Sequence, residues 1–288
     1  MTTFQDFALP EALQHKLDAL GFDKPTPVQE RAIPAALEHR DILGSAQTGT
    51  GKTAAFSIPL LTKIMNHADV YGIIVTPTRE LALQVDEQIR AFLSAKSKIR
   101  SVVLIGGASI ERQVQALGKR PKIVVGTPGR IIDHLERKSL DLSGFNYVVL
   151  DETDRMLDMG FSAPIAEIFS HVSEERQTLL FSATLPKNIQ KISAQYLQNP
   201  VRIEMGQVNS VGDNIVQSTQ FVSKDGKFEM LVDALREHDQ SAIVFMNSKF
   251  ATEKMAKRLK SAGIIAEAIH GDLRQSRRER VISNLRDH

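Results

Sequence analysis

Two short stretches carry side chains whose type and spacing could do chemistry. The first is Ala46-Gln47-Thr48-Gly49-Thr50-Gly51-Lys52-Thr53. An apolar strand end, Ile42-Leu43-Gly44, precedes it, and a helical start, Ala54-Ala55-Phe56-Ser57-Ile58, follows. Strand, glycine-rich loop, Gly-Lys-Thr and helix together read as a phosphate-binding loop. Glycines let the backbone curl until several N–H groups point at one anion, and the helix N-terminus adds partial positive charge. Lys52 can reach β- and γ-phosphates, and the Thr53 hydroxyl can bind Mg²⁺. Ala46 stands where such loops usually carry their first glycine. The bland alternative is a Gly/Thr-rich turn that only caps a helix. The second stretch, Asp151-Glu152-Thr153-Asp154, ends an apolar strand far downstream. There Asp151 would hold Mg²⁺ through water, and Glu152 would orient or deprotonate an attacking water. Paired carboxylates at a strand end are modest evidence alone, and strong evidence beside Gly51-Lys52-Thr53.

The elements that must position these groups are legible as alternating strands and helices. Strands are expected at 42–44, 72–76, 102–105, 123–126, 147–151 and 178–182, mostly as unbroken Val/Ile/Leu runs. Such runs fit parallel strands buried on both faces. Helices are expected at 9–20, 28–37, 53–65, 80–93, 110–117 and 130–136, with Pro59 kinking or shortening the third of these. The result is an open α/β sheet with helices on both faces. Polar segments recur at the C-terminal ends of its strands, where open parallel sheets bind ligands. They are Pro77-Thr78-Arg79-Glu80, Gly106-Gly107, Thr127-Pro128-Gly129-Arg130 and Ser182-Ala183-Thr184. Past Met205 a Gly/Asn/Ser-rich stretch, 206–214, reads as a linker. A second αβ series follows, with strands expected at 215–222, 242–246 and 264–269 and helices at 227–236, 251–261 and 275–285.

Composition sets the outer bounds. The chain has 288 residues, 42% hydrophobic and 24% charged, which suits one large or two ordinary packed domains. No apolar run is long enough to span a membrane, and the N-terminus lacks a basic region followed by an apolar one. There is no cysteine, which excludes disulfides and thiolate metal sites and agrees with a reducing, cytoplasmic setting. The eight histidines form no ligand-spaced cluster. Net charge is only +2, so any nucleic-acid binding must come from local arrangement.

Taken together, these motifs resemble those of the DEAD-box ATP-dependent RNA helicases of superfamily 2, over nearly the whole chain from Phe4 to Arg280. The resemblance implies a complete RecA-like ATP-binding domain over residues 1–205 and the first part of another over 215–288. It implies ATP and Mg²⁺ as cofactors and RNA, held by its backbone whatever its sequence, as partner. Gly21-Phe22-Asp23-Lys24-Pro25-Thr26-Pro27-Val28-Gln29 looks like the family's adenine-reading motif, and Phe4 sits at the spacing of its upstream aromatic. Gln29 would present its amide to the adenine edge, and Phe22 could stack on the base. Pro77, Thr78, Arg79, Gly106, Gly107, Thr127, Pro128, Gly129 and Arg130 match the family's RNA-contacting segments. The bland alternative for Arg79 and Arg130 is a pair of salt-bridged surface residues. Ser182 and Thr184 match its coupling motif, with hydroxyls able to bond Asp154. In the second series His270-Gly271-Asp272, Gln275 and Arg278 resemble its Gln-x-x-Arg segment. Two departures stand out. Thr153 replaces the family's alanine, and the later Thr-Asp and His-Arg-x-Gly-Arg-x-x-Arg motifs, the last with its arginine finger, do not occur in these 288 residues. A non-catalytic ATP- and RNA-binding fragment, and a DNA translocase of the same superfamily, are the competing readings.

Overall fold

Seven strands form one sheet in the computed structural model, which describes residues 2–47, 49–205, 216–238 and 240–287. They are β1 (Ile42–Ser45), β2 (Gly72–Val75), β3 (Ser101–Leu104), β4 (Ile123–Gly126), β5 (Tyr147–Leu150), β6 (Gln177–Ser182) and β7 (Val201–Glu204). The order is β3-β4-β2-β5-β6-β1-β7, and every pairing is parallel. The unbroken apolar runs bury alternate residues on opposite faces. Ile42, Ile74, Val125, Val149, Leu179 and Phe181 join one core. Leu43, Ile73, Val75, Val124, Val148, Leu150 and Leu180 join the other.

Helices cover both faces. In chain order they are α1 (Glu11–Ala19), α2 (Pro27–Leu37), α3 (Lys52–Asn66), α4 (Arg79–Ala91), α5 (Ile110–Leu117), α6 (Pro128–Glu136), α7 (Thr153–Asp158), α8 (Ser162–His171) and α9 (Lys187–Tyr196). The sequence pattern misses α7, α8, α9 and β7. Strand β7 lies at the sheet edge and buries only Ile203, so its period-two signal is four residues long. Pro59 does not shorten α3, which runs through it from Lys52 to Asn66. This helix is buried almost all round, and its packing outweighs one lost backbone hydrogen bond.

By contact density the chain divides into two units, Met1–Ser210 and Val211–His288. The expected linker, 206–214, and Ile215 lie outside the described residues. The second unit holds α10 (Lys227–Glu237), α11 (Lys249–Ser261) and α12 (Gln275–Asp287), close to the helices expected. Its expected strands are a correction. Residues 216–222, 242–246 and 264–269 make no ladder among the described residues. An apolar run reports strand composition, whereas a strand exists only where a neighbour completes its hydrogen bonds. Phe245 and Ile265 are accordingly 91% and 98% exposed.

Candidate functional site

All the polar segments fall on one edge of the sheet, and the strand order sorts them into two groups. Strands β5, β6 and β1 are neighbours, and they end in Asp151-Glu152, Ser182-Ala183-Thr184 and the glycine-rich loop. Strands β3, β4 and β2 are also neighbours, and they end in Gly106-Gly107, Thr127–Arg130 and Pro77–Arg79.

In the first group the loop is shaped by Gly49 and Gly51, at φ +85° and +90°, a region open to glycine at little cost. Gly51 is the N-cap of α3, and no side chain caps that helix start. Its first N–H groups therefore stay available to an anion. Lys52 is buried and donates from Nζ to the Ala46 carbonyl at 2.9 Å. Ala46 has no positive φ, so its Cβ carries no strain, and its N–H donates to the Ser182 carbonyl at 3.1 Å. Gln47 and Thr50 close the loop, Thr50 Oγ1 donating to the Gln47 carbonyl. Thr48 lies outside the described residues, and Thr53 sits half-buried in the first turn of α3.

Asp151 is 2% exposed, and its Oδ1 accepts from the Glu152 N–H at 3.0 Å. Burial pushes its carboxyl up to about 6, against the opposing pull of Lys52. Glu152 caps α7 from a left-handed backbone, φ 50° and ψ 50°, a conformation that costs a non-glycine residue about 1 kcal/mol or more. Asp154 Oδ2 accepts from both the N–H and the hydroxyl of Thr184, each at 3.0 Å. The Ser182 hydroxyl, by contrast, is buried with no hydrogen-bond partner among the described residues. Asp154 and Thr184 are thus brought together, and the expected Ser182–Asp154 bond is absent.

Thr153 is fully buried, and its hydroxyl faces two carbonyls, Leu150 at 3.3 Å and Phe181 at 3.1 Å. It ties the end of β5 to the end of β6 beyond the last rung of their ladder, Leu150 with Leu180. Alanine could not make this link. Thr153→Val, which keeps the volume and drops the hydroxyl, is expected to cost about 1–3 kcal/mol of stability in urea denaturation, and Thr153→Ser less. Equal stability of all three proteins would show that the hydroxyl contributes nothing.

The segment around Gln29 packs directly against the loop. Thr26 and Gln29 form a capping box on α2, with Gln29 Oε1 accepting from the Thr26 N–H at 2.9 Å. Gln29 Nε2 donates to the Gly51 carbonyl at 3.1 Å, and Thr26 Oγ1 to the Thr50 carbonyl at 2.8 Å. One N–H and one lone pair of the Gln29 amide remain for a ligand. Phe22 is half-buried and meets the edges of Phe4 and Phe92 at 5.6 and 5.4 Å between centroids. Phe4 corrects an expectation. It is 1% exposed within the apolar core, so it supports Phe22 and offers no face to a ligand.

In the second group the Arg79 guanidinium lies over Gly106. A Cβ there would stand 3.1 Å from Arg79 Nη2. Thr78 caps α4, its hydroxyl accepting from the Leu81 N–H, and Pro77 is buried beneath. Gly107 is exposed at φ +78°. Thr127 is the N-cap of α6 with no side-chain bond to its first turn, Pro128 opens the helix and Gly129 is exposed. Arg130 donates to the Ala108 carbonyl at 3.2 Å and pairs with Asp133 at 3.4 Å. The two arginines therefore differ. Arg130 is braced by a carboxylate, and Arg79 has no ion pair among the described residues. Sequence reasoning missed Gln113 and His134, which are buried and hydrogen-bonded to each other behind this group.

In the second unit His270 Nε2 meets Glu253 at 2.9 Å, and Asp272 meets Lys249 at 2.6 Å, which ties the His270–Asp272 segment to α11. Gln275 opens α12 and is buried, with Arg278 one turn further on.

Comparison with known proteins agrees with this geometry. The family described as DEAD/DEAH box helicase matches residues 26–192, and the one described as helicase conserved C-terminal domain matches 226–288. The DEAD-box ATP-dependent RNA helicase CshA of Geobacillus kaustophilus is 42% identical, covering 100% of this chain and 62% of that protein. The protein of the same name from Bacillus cereus is 43% identical, covering 100% of this chain and 55% of that protein. The chain thus spans between 55% and 62% of the length of these relatives. A crystal structure of a DEAD box protein from the hyperthermophile Methanococcus jannaschii matches with a TM-score of 0.68 at 37% identity, covering 100% of this chain and 78% of that one. The seven-stranded parallel sheet is accordingly of the RecA-like kind. With its phosphate loop, its Asp-Glu-Thr-Asp strand end and both groups of edge segments inside the matched region, the chain belongs to the DEAD/DEAH box helicase family.

Proposed function

We propose that this chain supplies the ATP-binding domain, and part of the second domain, of an ATP-dependent RNA helicase of the cytoplasm. The observation that carries the reading is the division of one sheet edge into two neighbouring halves. The phosphate loop and the acidic strand end occupy β1, β6 and β5, and an arginine over a glycine turn, without an ion pair among the described residues, occupies β2 and β3. A nucleotide and a nucleic-acid backbone would then bind on adjacent strands of one sheet.

In this reading Lys52 exchanges the Ala46 carbonyl for the β- and γ-phosphates, and the N–H groups from Gly49 to Thr53 cradle them. Gln29 reads the adenine edge with its remaining donor and acceptor, and Phe22 stacks on the base. The donor set suits Mg²⁺. Asp151 is a buried carboxylate whose charge burial opposes, and Thr53 offers a hydroxyl in the same helix turn as Lys52. When bound, the ion would neutralise phosphate charge during hydrolysis. Glu152 orients the attacking water. The Asp154–Thr184 bonds join the acidic segment to the end of β6, a physical route by which nucleotide state reaches the rest of the sheet. Arg79, Arg130 and the uncapped start of α6 hold RNA phosphates and sugars, so binding is independent of base sequence. Within the second unit, Gln275 and Arg278 are the residues proposed to meet RNA. Membrane binding has no part in this reading, and among the described residues no helix is long and apolar enough to cross a bilayer.

Salt-dependent RNA binding tests the reading. Arg79→Ala is expected to reduce the slope of log affinity against log salt by about one counterion for single-stranded RNA of any sequence. Arg130→Ala should reduce it less, because Asp133 already neutralises that charge in part. Fluorescence anisotropy at several salt concentrations measures both. An unchanged slope and affinity in Arg79→Ala would leave this arginine a surface residue and remove the RNA edge from the proposal.

A further inference from the structure

Behind the Gly106–Gly107 turn lies a buried polar chain that the reading above does not use. His134 is fully buried and Gln113 is 6% exposed. Gln113 Nε2 donates to the Ile105 carbonyl at 3.1 Å, and Gln113 Oε1 stands 3.1 Å from His134 Nε2. On the far side of the ring, His134 Nδ1 stands 2.8 Å from the Ser139 hydroxyl. Buried polar atoms away from water are costly unless paired, and this chain pairs each of them.

The chain has a direction fixed from one end. The Ile105 carbonyl can only accept, so the Gln113 amide must turn its NH₂ toward it and its oxygen toward His134. The ring nitrogen facing that oxygen must therefore carry hydrogen. The other ring nitrogen then accepts from the Ser139 hydroxyl, whose hydrogen could otherwise go to the His134 carbonyl at 3.1 Å. Burial, helped by the Arg130 guanidinium one turn away, holds the His134 imidazole below its ordinary value and so keeps it neutral.

Helix α6 thereby grips both ends of one short segment. Arg130 bonds the Ala108 carbonyl, and His134, one turn later on the same helix, reaches the Ile105 carbonyl through Gln113. Between those anchors are Gly106, under the Arg79 guanidinium, and Gly107 in its left-handed conformation. We infer that His134, donating from Nε2 to Gln113, is a positioning residue that sets the Ile105–Ala108 segment and the Arg79 guanidinium in place for a nucleic-acid backbone. This rests on the RNA reading of the β2–β3–β4 edge.

The full 288-residue chain tests it with single-stranded RNA as probe. His134→Leu and Gln113→Leu each remove one link and are expected to weaken RNA binding about fivefold, the worth of one hydrogen bond of about 1 kcal/mol. His134→Gln can still donate an amide N–H toward Gln113 and is expected to stay within about twofold of the unsubstituted chain. In an Arg79→Ala background His134→Leu should add little, because both act on one contact. ADP affinity should be unchanged throughout, since in the proposed reading nucleotide is held at the ends of β5, β6 and β1. Nitrogen NMR of the unsubstituted chain should show the Nε2–H tautomer at neutral pH, a readout that holds whether or not His134→Leu folds. An Nδ1–H ring, equal RNA affinity in the three variants, or a parallel loss of ADP affinity overturns the inference while leaving the RNA reading intact. Failure of the unsubstituted chain to bind RNA overturns both.

Discussion

Lys52→Ala is expected to weaken binding of ATP, ADP and GTP alike, by on the order of ten- to a hundredfold, the worth of a charge-assisted hydrogen bond of about 1.5–3 kcal/mol. In the proposed reading the lysine meets phosphates, which all three nucleotides share. Its removal also leaves the Asp151 carboxylate without the one cation that opposes its burial, so the empty site becomes still less suited to a second anion. Gln29→Ala should act differently. In the proposed reading it removes the group that faces a base edge, so it should erase preference for ATP over GTP. It should also loosen the loop by breaking the bonds to Thr26 and Gly51. Competition titrations with a fluorescent ADP analogue separate the two outcomes. A Lys52→Ala chain that binds all three nucleotides as the unsubstituted chain does would mean that the glycine-rich loop is not a phosphate site.

Why these groups were legible in sequence is a matter of spacing. The phosphate loop needs glycine at fixed places before Lys52, and a buried parallel strand needs an unbroken apolar run before Asp151, so both leave contiguous signals. The strand order was not legible, and neither was the division of the sheet edge into two halves that follows from it. Pairing of β2 with β4 and β5, or of β1 with β6 and β7, is a long-range outcome that no local window contains. Polar groups that act from behind were equally hidden. Gln113 sits in a short helix with an ordinary amphipathic pattern, and His134 resembles any histidine on an apolar face until the fold brings the two within 3.1 Å. Lys63 is the same kind of case. It reads as a surface lysine on α3, yet it is buried against His39 and the side chain of Gln177, and burial lowers its ammonium to about 8. Phe4 failed in the opposite sense. Its spacing pointed to a ligand, and the core claimed it.

The largest stability effect at the site should come from Asp151, and it should run against function. The carboxyl is raised from an ordinary 3.8 to about 6 although Lys52 pulls the other way, so burial outweighs the ionic attraction. The folded chain then binds this proton more tightly than the unfolded chain does. Stability contributed by the protonated group is present below about 3.8, declines as pH rises through the window to about 6, and is gone above it. A shift of about two units corresponds to a cost on the order of 3 kcal/mol at neutral pH. Asp151→Asn keeps the shape and removes the charge. At pH 7 it is expected to make the ligand-free chain more stable by about 1–3 kcal/mol, less than the full cost because Lys52 loses a partner. His134 has the opposite sign, since its lowered value makes stability fall as pH drops below the ordinary histidine range. The difference between Asp151→Asn and the unsubstituted chain cancels that contribution and isolates Asp151. Urea denaturation from pH 4 to pH 7 should give two curves that meet at the acid end and separate as pH rises. The same substitution should abolish the gain in ADP affinity on adding Mg²⁺, because the amide no longer offers the ion a charge. An asparagine variant less stable than the unsubstituted chain at pH 7, with its Mg²⁺ response intact, would mean that Asp151 is an ordinary structural carboxylate and that the cation is held elsewhere.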